Sequence, residues 1–261
     1  MERSVDNERE GAPVDSSEGL RELGNDIWLS GQSNGSATRL IAGKAYVRFL
    51  DRLYLPVDTH LLTQDQVLTI NQFRNSIIHS DSQFDYNSKV KSIFRAIVER
   101  ATGPILEVGP SVDPVIPSGR VDALLCDIDE DVNRKNISRG FRCAHPRDLG
   151  VFLNPPFQLI FGCFVFHFGL DLSEATNLAN ALDPNGAIVF NVVSRSAATR
   201  TNAISQLSLV GLRFQSFELG PSLGKNDVVF VGSKYEKSSH FQLEIRETLE
   251  KFDIYNGLGN A

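Results

Sequence analysis

Short apolar runs alternate with segments of helical periodicity from Gly103 onward, and this alternation limits the folds open to the chain more than any other feature. Five strands are predicted, at Ile105–Val108, Val121–Cys126, Gly140–Cys143, Phe157–Phe161 and Ala187–Val193. Apolar residues recur at helical spacing between Leu172 and Leu182, which predicts a helix before the last of these strands. Strands that alternate with helices are typical of a parallel sheet with right-handed crossovers and with helices on both faces.

Two more strands are predicted near the end of the chain, at Leu212–Phe217 and Val228–Val231. The loop between them is rich in Gly and Pro and is too short for a helical crossover, so we expect these strands to pair in antiparallel fashion. The predicted fold class is α/β. It consists of a Rossmann-like, mostly parallel seven-stranded sheet with helices on both faces and an antiparallel last strand, preceded by an N-terminal helical lid.

The lid is predicted from three helical patterns within residues 38–101. In the first, apolar residues from Leu40 to Tyr54 share one face. The second begins at Thr63, and Gln66 is placed to complete a capping box. The third has Asn87 or Ser88 as its cap and a clean apolar stripe after it.

The rest of the chain divides into two further regions. Residues 1–37 are rich in Ser, Gly, Asn and acidic residues, and such segments rarely repay the entropy lost on ordering, so we predict disorder there. Residues 102–261 are predicted to form the sheet domain, which would hold a cofactor, with the lid at 38–101 supplying the substrate pocket.

The charge of the chain is concentrated at its N-terminus. The formal net charge is −6, of which residues 1–26 carry −5. The body therefore lacks the basic excess that neutralises phosphates, and we expect no nucleic-acid partner. No apolar run approaches the roughly 20 residues that span a membrane, and we expect no membrane association. The three cysteines form no Cys-x-x-Cys pair, which indicates a cytoplasmic protein without a cysteine metal site.

A glycine turn and two acidic residues mark the ends of the first two strands of the predicted sheet. Glu107 precedes Gly109 at the end of the first strand, and Asp127 ends the second strand, 20 residues after Glu107. An acid about 20 residues past such a turn is placed to hold a ribose, because a carboxylate accepts hydrogen bonds from both hydroxyls. Two simpler interpretations stay open: Asp127 caps the next helix, and Glu107 meets a backbone N–H.

The turn departs from the dinucleotide pattern G-x-G-x-x-G. Ser111 and Pro114 stand where the second and third glycines would be. A pyrophosphate needs close backbone approach and a clean helix N-terminus, and prolines in the turn argue against both. The sequence therefore predicts a nucleoside-like ligand without a diphosphate, and it weighs against the competing hypothesis of an NAD or nucleotide-sugar enzyme.

Several segments resemble the motifs of class I S-adenosylmethionine-dependent methyltransferases, in the right order and spacing. Ile105-Leu-Glu-Val-Gly-Pro-Ser-Val-Asp-Pro114 is similar to the first motif of the branch in which Gly-Pro replaces Gly-x-Gly. Leu125-Cys-Asp-Ile-Asp129 resembles the acidic second motif, and the run from Phe157 to His167 resembles the motif of the fourth strand. Ala181–Val189 and Gly211–Phe214 resemble the turns into the next two strands. The likeness covers residues 84–235.

This resemblance implies S-adenosyl-L-methionine as the cofactor and assigns residues to it. The cofactor-binding residues that it implies are Glu107, Gly109, Pro110, Ser111, Asp127, Ile128, His145 and Cys163. Asp127 would hold the ribose hydroxyls, and Ile128 would pack on the adenine. His145 stands where the family has an acid that meets the adenine amino group, and Asp148 is the alternative for that role. No metal site is implied.

His167 is the candidate catalytic residue. An imidazole titrates near neutral pH, so His167 can serve as a general base close to the acceptor, with Asp171 either orienting it or capping the next helix. The competing interpretation is a core histidine within an aromatic run. We expect methyl transfer by in-line displacement to the oxygen or nitrogen of a small molecule. The alternative is a methyltransferase-like binding or regulatory protein that has lost turnover. The oligomeric state is left open, with a homodimer among the alternatives.

Overall fold

A computed structural model describes residues 14–15, 19–32, 36–50, 52–77, 81–152, 155–193, 196–219, 227–234 and 239–257. The chain divides into two compact units, residues 1–59 and residues 60–261. The second unit begins within the segment that the sequence assigns to the lid.

The first unit contains a six-stranded sheet. Its strands are β1 (Val14–Asp15), β2 (Leu20–Gly24), β3 (Ile27–Ser30), β4 (Thr38–Ile41), β5 (Lys44–Leu50) and β6 (Leu53–Pro56). Their order in the sheet is β1-β4-β5-β6-β3-β2, and every pair is antiparallel except β1 with β4. The predicted helix over 40–54 is therefore wrong. Disorder is also wrong for the described parts of 1–37, which form β1, β2, β3 and the turns beside them, whereas residues 1–13, 16–18 and 33–35 lie outside the described residues.

Two tight hairpins explain why these segments form strands. Asn25 and Asp26 join β2 to β3, and Ala42 and Gly43 join β4 to β5. All four residues have positive φ, as a type I′ turn requires, and that turn matches the twist of the strands it connects. The helical spacing of apolar residues from Leu40 to Tyr54 arises because the alternation of the strands is shifted twice, by the turn at 42–43 and by the register shift between Arg48 and Leu50 in the pairing of β5 with β6.

The second unit contains a seven-stranded sheet and six helices among its described residues. The helices are α1 (Gln64–Ile77), α2 (Asp81–Val98), α3 (Glu130–Ser138), α4 (Leu172–Ala181), α5 (Ala197–Leu209) and α6 (His240–Gly257), with 3-10 turns at Pro146–Phe152 and Phe166–Phe168. The strands are β7 (Ile105–Val108), β8 (Ala123–Cys126), β9 (Cys143–Ala144), β10 (Phe157–Gly162), β11 (Leu182–Val192), β12 (Arg213–Leu219) and β13 (Asp227–Ser233).

The sheet order is β12-β13-β11-β10-β7-β8-β9. The five strands from β11 to β9 are parallel, whereas β13 is antiparallel to β11 and β12 is antiparallel to β13. This arrangement confirms the predicted α/β class, with a mostly parallel seven-stranded sheet and an antiparallel last strand.

Helices cover both faces of this sheet, as predicted. Alternate strand residues face opposite sides: Ile105 belongs to one core cluster, together with residues of α2 and α6. Its neighbour Leu106 belongs to the other cluster, together with residues of α4 and α5. Burial on both faces explains why the strands read as continuous apolar runs rather than as alternating patterns.

Two of the three helices predicted within residues 38–101 are present, as α1 and α2. Helix α1 starts after Thr63, whose hydroxyl accepts from the Gln66 N–H (3.2 Å) while Gln66 Oε1 accepts from the Thr63 N–H (3.0 Å), which is the predicted capping box. Helix α2 begins at Asp81, so the predicted cap at Asn87 or Ser88 is wrong. Those two residues lie inside the helix.

Candidate functional site

A cavity of about 770 Å³ lies at the carboxyl ends of the parallel strands. Its wall includes residues that directly follow β7, β8, β9 and β10. The chain runs from β7 outward through β8 and β9, and then returns to place β10 on the other side of β7. Such a reversal leaves a crevice at the strand ends, which is where open α/β sheets bind ligands.

The turn after β7 brings backbone close to this cavity. Gly109 has φ +64°, and a Cβ at that position would lie 2.6 Å from Val165 Cγ2. The position therefore requires glycine both for its conformation and for the close approach to the segment after β10. Residues 109–122 form turns and bends without a helix before β8. No helix N-terminus is thus available there for a pyrophosphate, in keeping with the sequence argument.

Glu107 fixes the turn after β7 through hydrogen bonds to its backbone. Its carboxylate is buried and accepts hydrogen bonds from the backbone N–H groups of Val115 (2.9 Å) and Ile116 (3.1 Å). Burial raises the pKa of Glu107 to about 7, although the two N–H donors act in the opposite direction. The interpretation that Glu107 meets backbone N–H groups is therefore correct, and the residue also lies on the cavity wall.

Asp127 lies beside the glycine turn. One carboxylate oxygen accepts from the Ser111 N–H (3.2 Å) and the other from the Asp129 N–H (3.0 Å). Burial raises the pKa of Asp127, and the backbone donors limit that rise. Helix α3 is capped by Asp129, which accepts from the Asp131 N–H (2.9 Å), so the capping interpretation of Asp127 is wrong. The carboxylate and the turn form one continuous piece of the wall.

The remaining residues assigned to the cofactor also lie on this wall, namely Pro110, Ile128, His145 and Cys163. His145 Nδ1 accepts from the Arg147 N–H (3.2 Å). Burial and the charge of Arg147 lower the pKa of His145. Because Nδ1 accepts this hydrogen bond, the neutral form of the ring has its proton on Nε2. Asp148, the alternative to His145, is exposed and is not among the wall residues.

His167 does not line the cavity. Its side chain is 0% exposed, its ring packs against Phe168, and burial lowers its pKa well below the ordinary value. A general base must reach the acceptor, so the structure contradicts this role and favours the core interpretation. Asp171 caps α4 by accepting from the Glu174 N–H (2.7 Å) and does not orient His167.

Sequence reasoning missed the residues that fix the turn from outside. Lys91 Nζ on α2 donates to the Asp113 carbonyl (2.6 Å) and to its carboxylate (2.7 Å). Asn136 Nδ2 on α3 donates to the Ser111 carbonyl (2.8 Å). No local pattern signals these contacts, because they join the turn to helices 22 to 25 residues away in sequence.

Among the described residues, no group of three or more His, Cys, Asp or Glu side chains is placed to hold a metal ion. No helix in the same ranges has the length and the apolar character needed to cross a membrane.

Comparisons with known proteins give structural likeness without sequence support. No protein-family model matches the sequence, and no curated protein matches it. The chain is similar in structure to DesVI from Streptomyces venezuelae (14% identity, TM-score 0.43, 67% of this chain and 99% of that one). It is also similar to a TehB-like S-adenosylmethionine-dependent methyltransferase from Corynebacterium glutamicum (18%, 0.45, 66% and 97%).

A third similar structure is the magnesium protoporphyrin IX methyltransferase of Synechocystis with bound S-adenosylmethionine (11% identity, TM-score 0.45, 68% of this chain and 100% of that one). Identities and TM-scores this low do not establish a shared activity. The function therefore has to be inferred from the site itself.

Proposed function

We propose that the chain binds S-adenosyl-L-methionine at the carboxyl ends of β7 and β8 and transfers its methyl group to a small-molecule acceptor. The observation that carries this proposal is the hydrogen bond between the Ser111 N–H and the Asp127 carboxylate. It joins the glycine turn and the acidic strand end into one wall, and all eight residues assigned to the cofactor from the sequence line the same cavity.

The residues present fit a nucleoside with a sulfonium side chain. The Asp127 carboxylate has about four acceptor positions, of which backbone N–H groups occupy some, so it retains capacity for ribose hydroxyls. Gly109 presents no side chain toward the cavity, and the turn offers no helix N-terminus for a diphosphate. A volume of about 770 Å³ is within the usual range for small-molecule sites.

The cofactor, when bound, would supply a methyl group that its sulfonium has already activated. What the chain must add is alignment of the acceptor with that group and exclusion of water. Glu107 and Lys91 fix the turn after β7, and this turn would hold the cofactor. Asp127 would orient its ribose. His167 does not line the cavity and so cannot take a proton from the acceptor. The acceptor atom must therefore be nucleophilic without the help of His167.

Calorimetry with S-adenosylhomocysteine tests the proposal. We expect saturable binding at one site per chain. Asp127→Asn should weaken it by about tenfold or more, because hydrogen bonds to a charged acceptor contribute about 1.5–3 kcal/mol. The matched control is Asp131→Asn, an exposed carboxylate paired with Arg134, which should leave the affinity unchanged. Absence of binding by the unmodified chain, or binding of NAD or a UDP-sugar in its place, would contradict the proposal.

The buried position of His167 favours one second candidate, a binding protein without turnover. The two functions share the cofactor site and differ in product formation. Incubation with S-adenosylmethionine carrying a labelled methyl group and a small-molecule extract should yield labelled product from an enzyme. Tight cofactor binding without labelled product in any extract would favour the binding protein.

A further inference from the structure

Two residues other than glycine have positive φ in the described part of the second unit, namely Ser111 (+55°) and Phe164 (+63°). This backbone conformation is uncommon outside glycine and asparagine, and for a bulky side chain it is a strained outlier. Both residues are on the wall of the cavity. The strained backbone positions of this unit therefore lie at the candidate site.

A fully buried asparagine holds each of these two residues. Asn136 Nδ2 donates to the Ser111 carbonyl (2.8 Å), and Asn191 Oδ1 on β11 accepts from the Phe164 N–H (2.9 Å). Both asparagines are 0% exposed. Since Ser111 belongs to the turn that would hold the cofactor, the matching arrangement at Phe164 indicates that the segment after β10 is fixed for the same site.

Asn191 is a polar residue at a position of β11 that belongs to the core. Its neighbour on β13 is Val229, which is part of the core cluster beside α2 and α6. None of the described residues accepts a hydrogen bond from Asn191 Nδ2, and a buried donor without a partner lowers stability. The side chain thus supplies its oxygen to Phe164 although an apolar residue would suit the core better, which is typical of residues that maintain a functional site.

Of the three phenylalanines on the wall, Phe164 keeps the most exposed surface. Phe166 and Phe168 are only 1% and 7% exposed, whereas Phe164 is half-buried. The Phe164 ring packs against the ring of Tyr86 on α2, with 5.8 Å between the centroids. Phe164 is therefore fixed twice, through its backbone by Asn191 and through its ring by Tyr86.

The choice of phenylalanine at this position points to a contact with a ligand. Glycine would adopt the same backbone conformation without strain, so the phenylalanine has to supply something that glycine lacks. An aromatic ring supplies a flat apolar surface, and aromatic pairs favour defined stacked or edge-to-face geometries. A ring that is held in place thus favours a flat partner over an aliphatic one of the same size.

We infer that Asn191 is a positioning residue, which holds Phe164 in its left-handed conformation so that the ring packs on a methyl acceptor with a flat aromatic body. The inference rests on the proposed function for the acceptor, whereas the ring and its support are defined by this chain's own residues. Asn191 acts only through Phe164, because it is fully buried and is not a wall residue.

Two neutral probes that share one carbon skeleton test the role of the ring on the full chain with S-adenosylhomocysteine present. They are 2-naphthalenemethanol, which is flat, and decahydro-2-naphthalenemethanol, which is not, and calorimetry gives the ratio of their affinities. Phe164→Leu keeps an apolar side chain but removes the ring, so it should shift this ratio by about two- to tenfold against the flat probe. The matched control is Phe217→Leu on β12. Phe217 is partly buried against the same core cluster but is not a wall residue, so this variant should leave the ratio unchanged.

Variants of Asn191 test the positioning role. Asn191→Leu removes the acceptor for the Phe164 N–H and should shift the ratio in the same direction, whereas Asn191→Asp keeps an acceptor oxygen and should preserve it. Urea unfolding reports on the backbone conformation. Phe164→Gly should be more stable than Phe164→Ala, because glycine adopts positive φ without strain. In the Asn191→Leu background this order should reverse, since residue 164 can then adopt negative φ.

Several outcomes would overturn the inference. The unmodified chain could bind neither probe, Phe164→Leu or Asn191→Leu could leave the ratio unchanged, or Phe164→Gly and Phe164→Ala could have the same order of stability with and without Asn191. A loss of S-adenosylhomocysteine affinity in Phe164→Leu would also overturn it, by assigning the ring to the cofactor. Thermal unfolding shows whether each variant is folded, and the Phe164 variants keep the test decisive if Asn191→Leu is not. If the unmodified chain fails to bind S-adenosylhomocysteine, the proposed function fails, whereas titration of the two probes without it still tests the ring.

Discussion

Three acidic residues within 23 positions have three different tasks, and their types do not distinguish them. Glu107 bonds to the backbone of the turn, Asp127 bridges the turn and the second strand end, and Asp129 caps α3. The sequence placed Glu107 and Asp127 at strand ends correctly, because apolar runs reveal where strands stop. It could not assign the cap, because Asp is favoured both as a cap and as a ligand for hydroxyls.

Glu107 makes stability depend on pH in a defined window. The folded protein holds the proton up to about pH 7, whereas the ordinary pKa of 4.5 applies to the unfolded chain. Protonation thus favours the folded state, and this contribution is present below about pH 4.5 and lost as the pH rises through about 7. Between about pH 4.5 and 8, the free energy of unfolding should decrease by about 3 kcal/mol because of Glu107.

Glu107→Gln resembles the protonated carboxyl and should remove the decrease in the free energy of unfolding that Glu107 causes between about pH 4.5 and 8. Urea unfolding at the two pH values should therefore show a smaller decrease in the free energy of unfolding for the variant than for the unmodified chain. Glu250→Gln, an exposed position on α6, serves as the control and should keep the full decrease. Identical pH dependence of the unmodified chain and Glu107→Gln would contradict the buried, protonated state.

At the scale of elements, the turn after β7 lies so close to the segment after β10 that a Cβ on Gly109 would be 2.6 Å from Val165 Cγ2. Gly109→Ala should cost about 3 kcal/mol of folding free energy, since it adds a clash to the strain of a positive φ. Gly119→Ala is matched, because Gly119 also has positive φ (+90°) but open space around it, and it should cost about 1 kcal/mol. Equal costs by urea unfolding would show that the contact with Val165 is unimportant.

The strands of the second unit were predictable and those of the first unit were not. Burial on both faces makes β7 and β10 continuous apolar runs, which leave a clear mark in the sequence. In the first unit, the hairpin turn at 42–43 contains Ala42, which rarely adopts positive φ, and the turn at 25–26 has Asp26 where glycine is most common, so the turns carry a weak signal. The contacts of Lys91 and Asn136 with the turn were beyond prediction because they depend on tertiary packing.

For the whole molecule, the candidate site lies within a single compact unit, since every wall residue belongs to residues 60–261. Ligand binding to the folded state should therefore stabilise that unit against unfolding. At a concentration of S-adenosylhomocysteine 100 times its dissociation constant, the gain should be about 2.7 kcal/mol. For Asp127→Asn at the same concentration, a tenfold weaker affinity reduces the gain to about 1.4 kcal/mol.

Urea unfolding with and without S-adenosylhomocysteine measures both gains, and Asp131→Asn should behave like the unmodified chain. Asp127→Asn also lowers the stability of the ligand-free protein, because it weakens the hydrogen bond to Ser111 or to Asp129. Comparing each variant with and without the ligand cancels this effect. Equal gains for the unmodified chain and Asp127→Asn would mean that the ligand stabilises the protein from elsewhere. A smaller gain for Asp127→Asn, by contrast, ties the stability of the whole unit to the carboxylate that meets the turn.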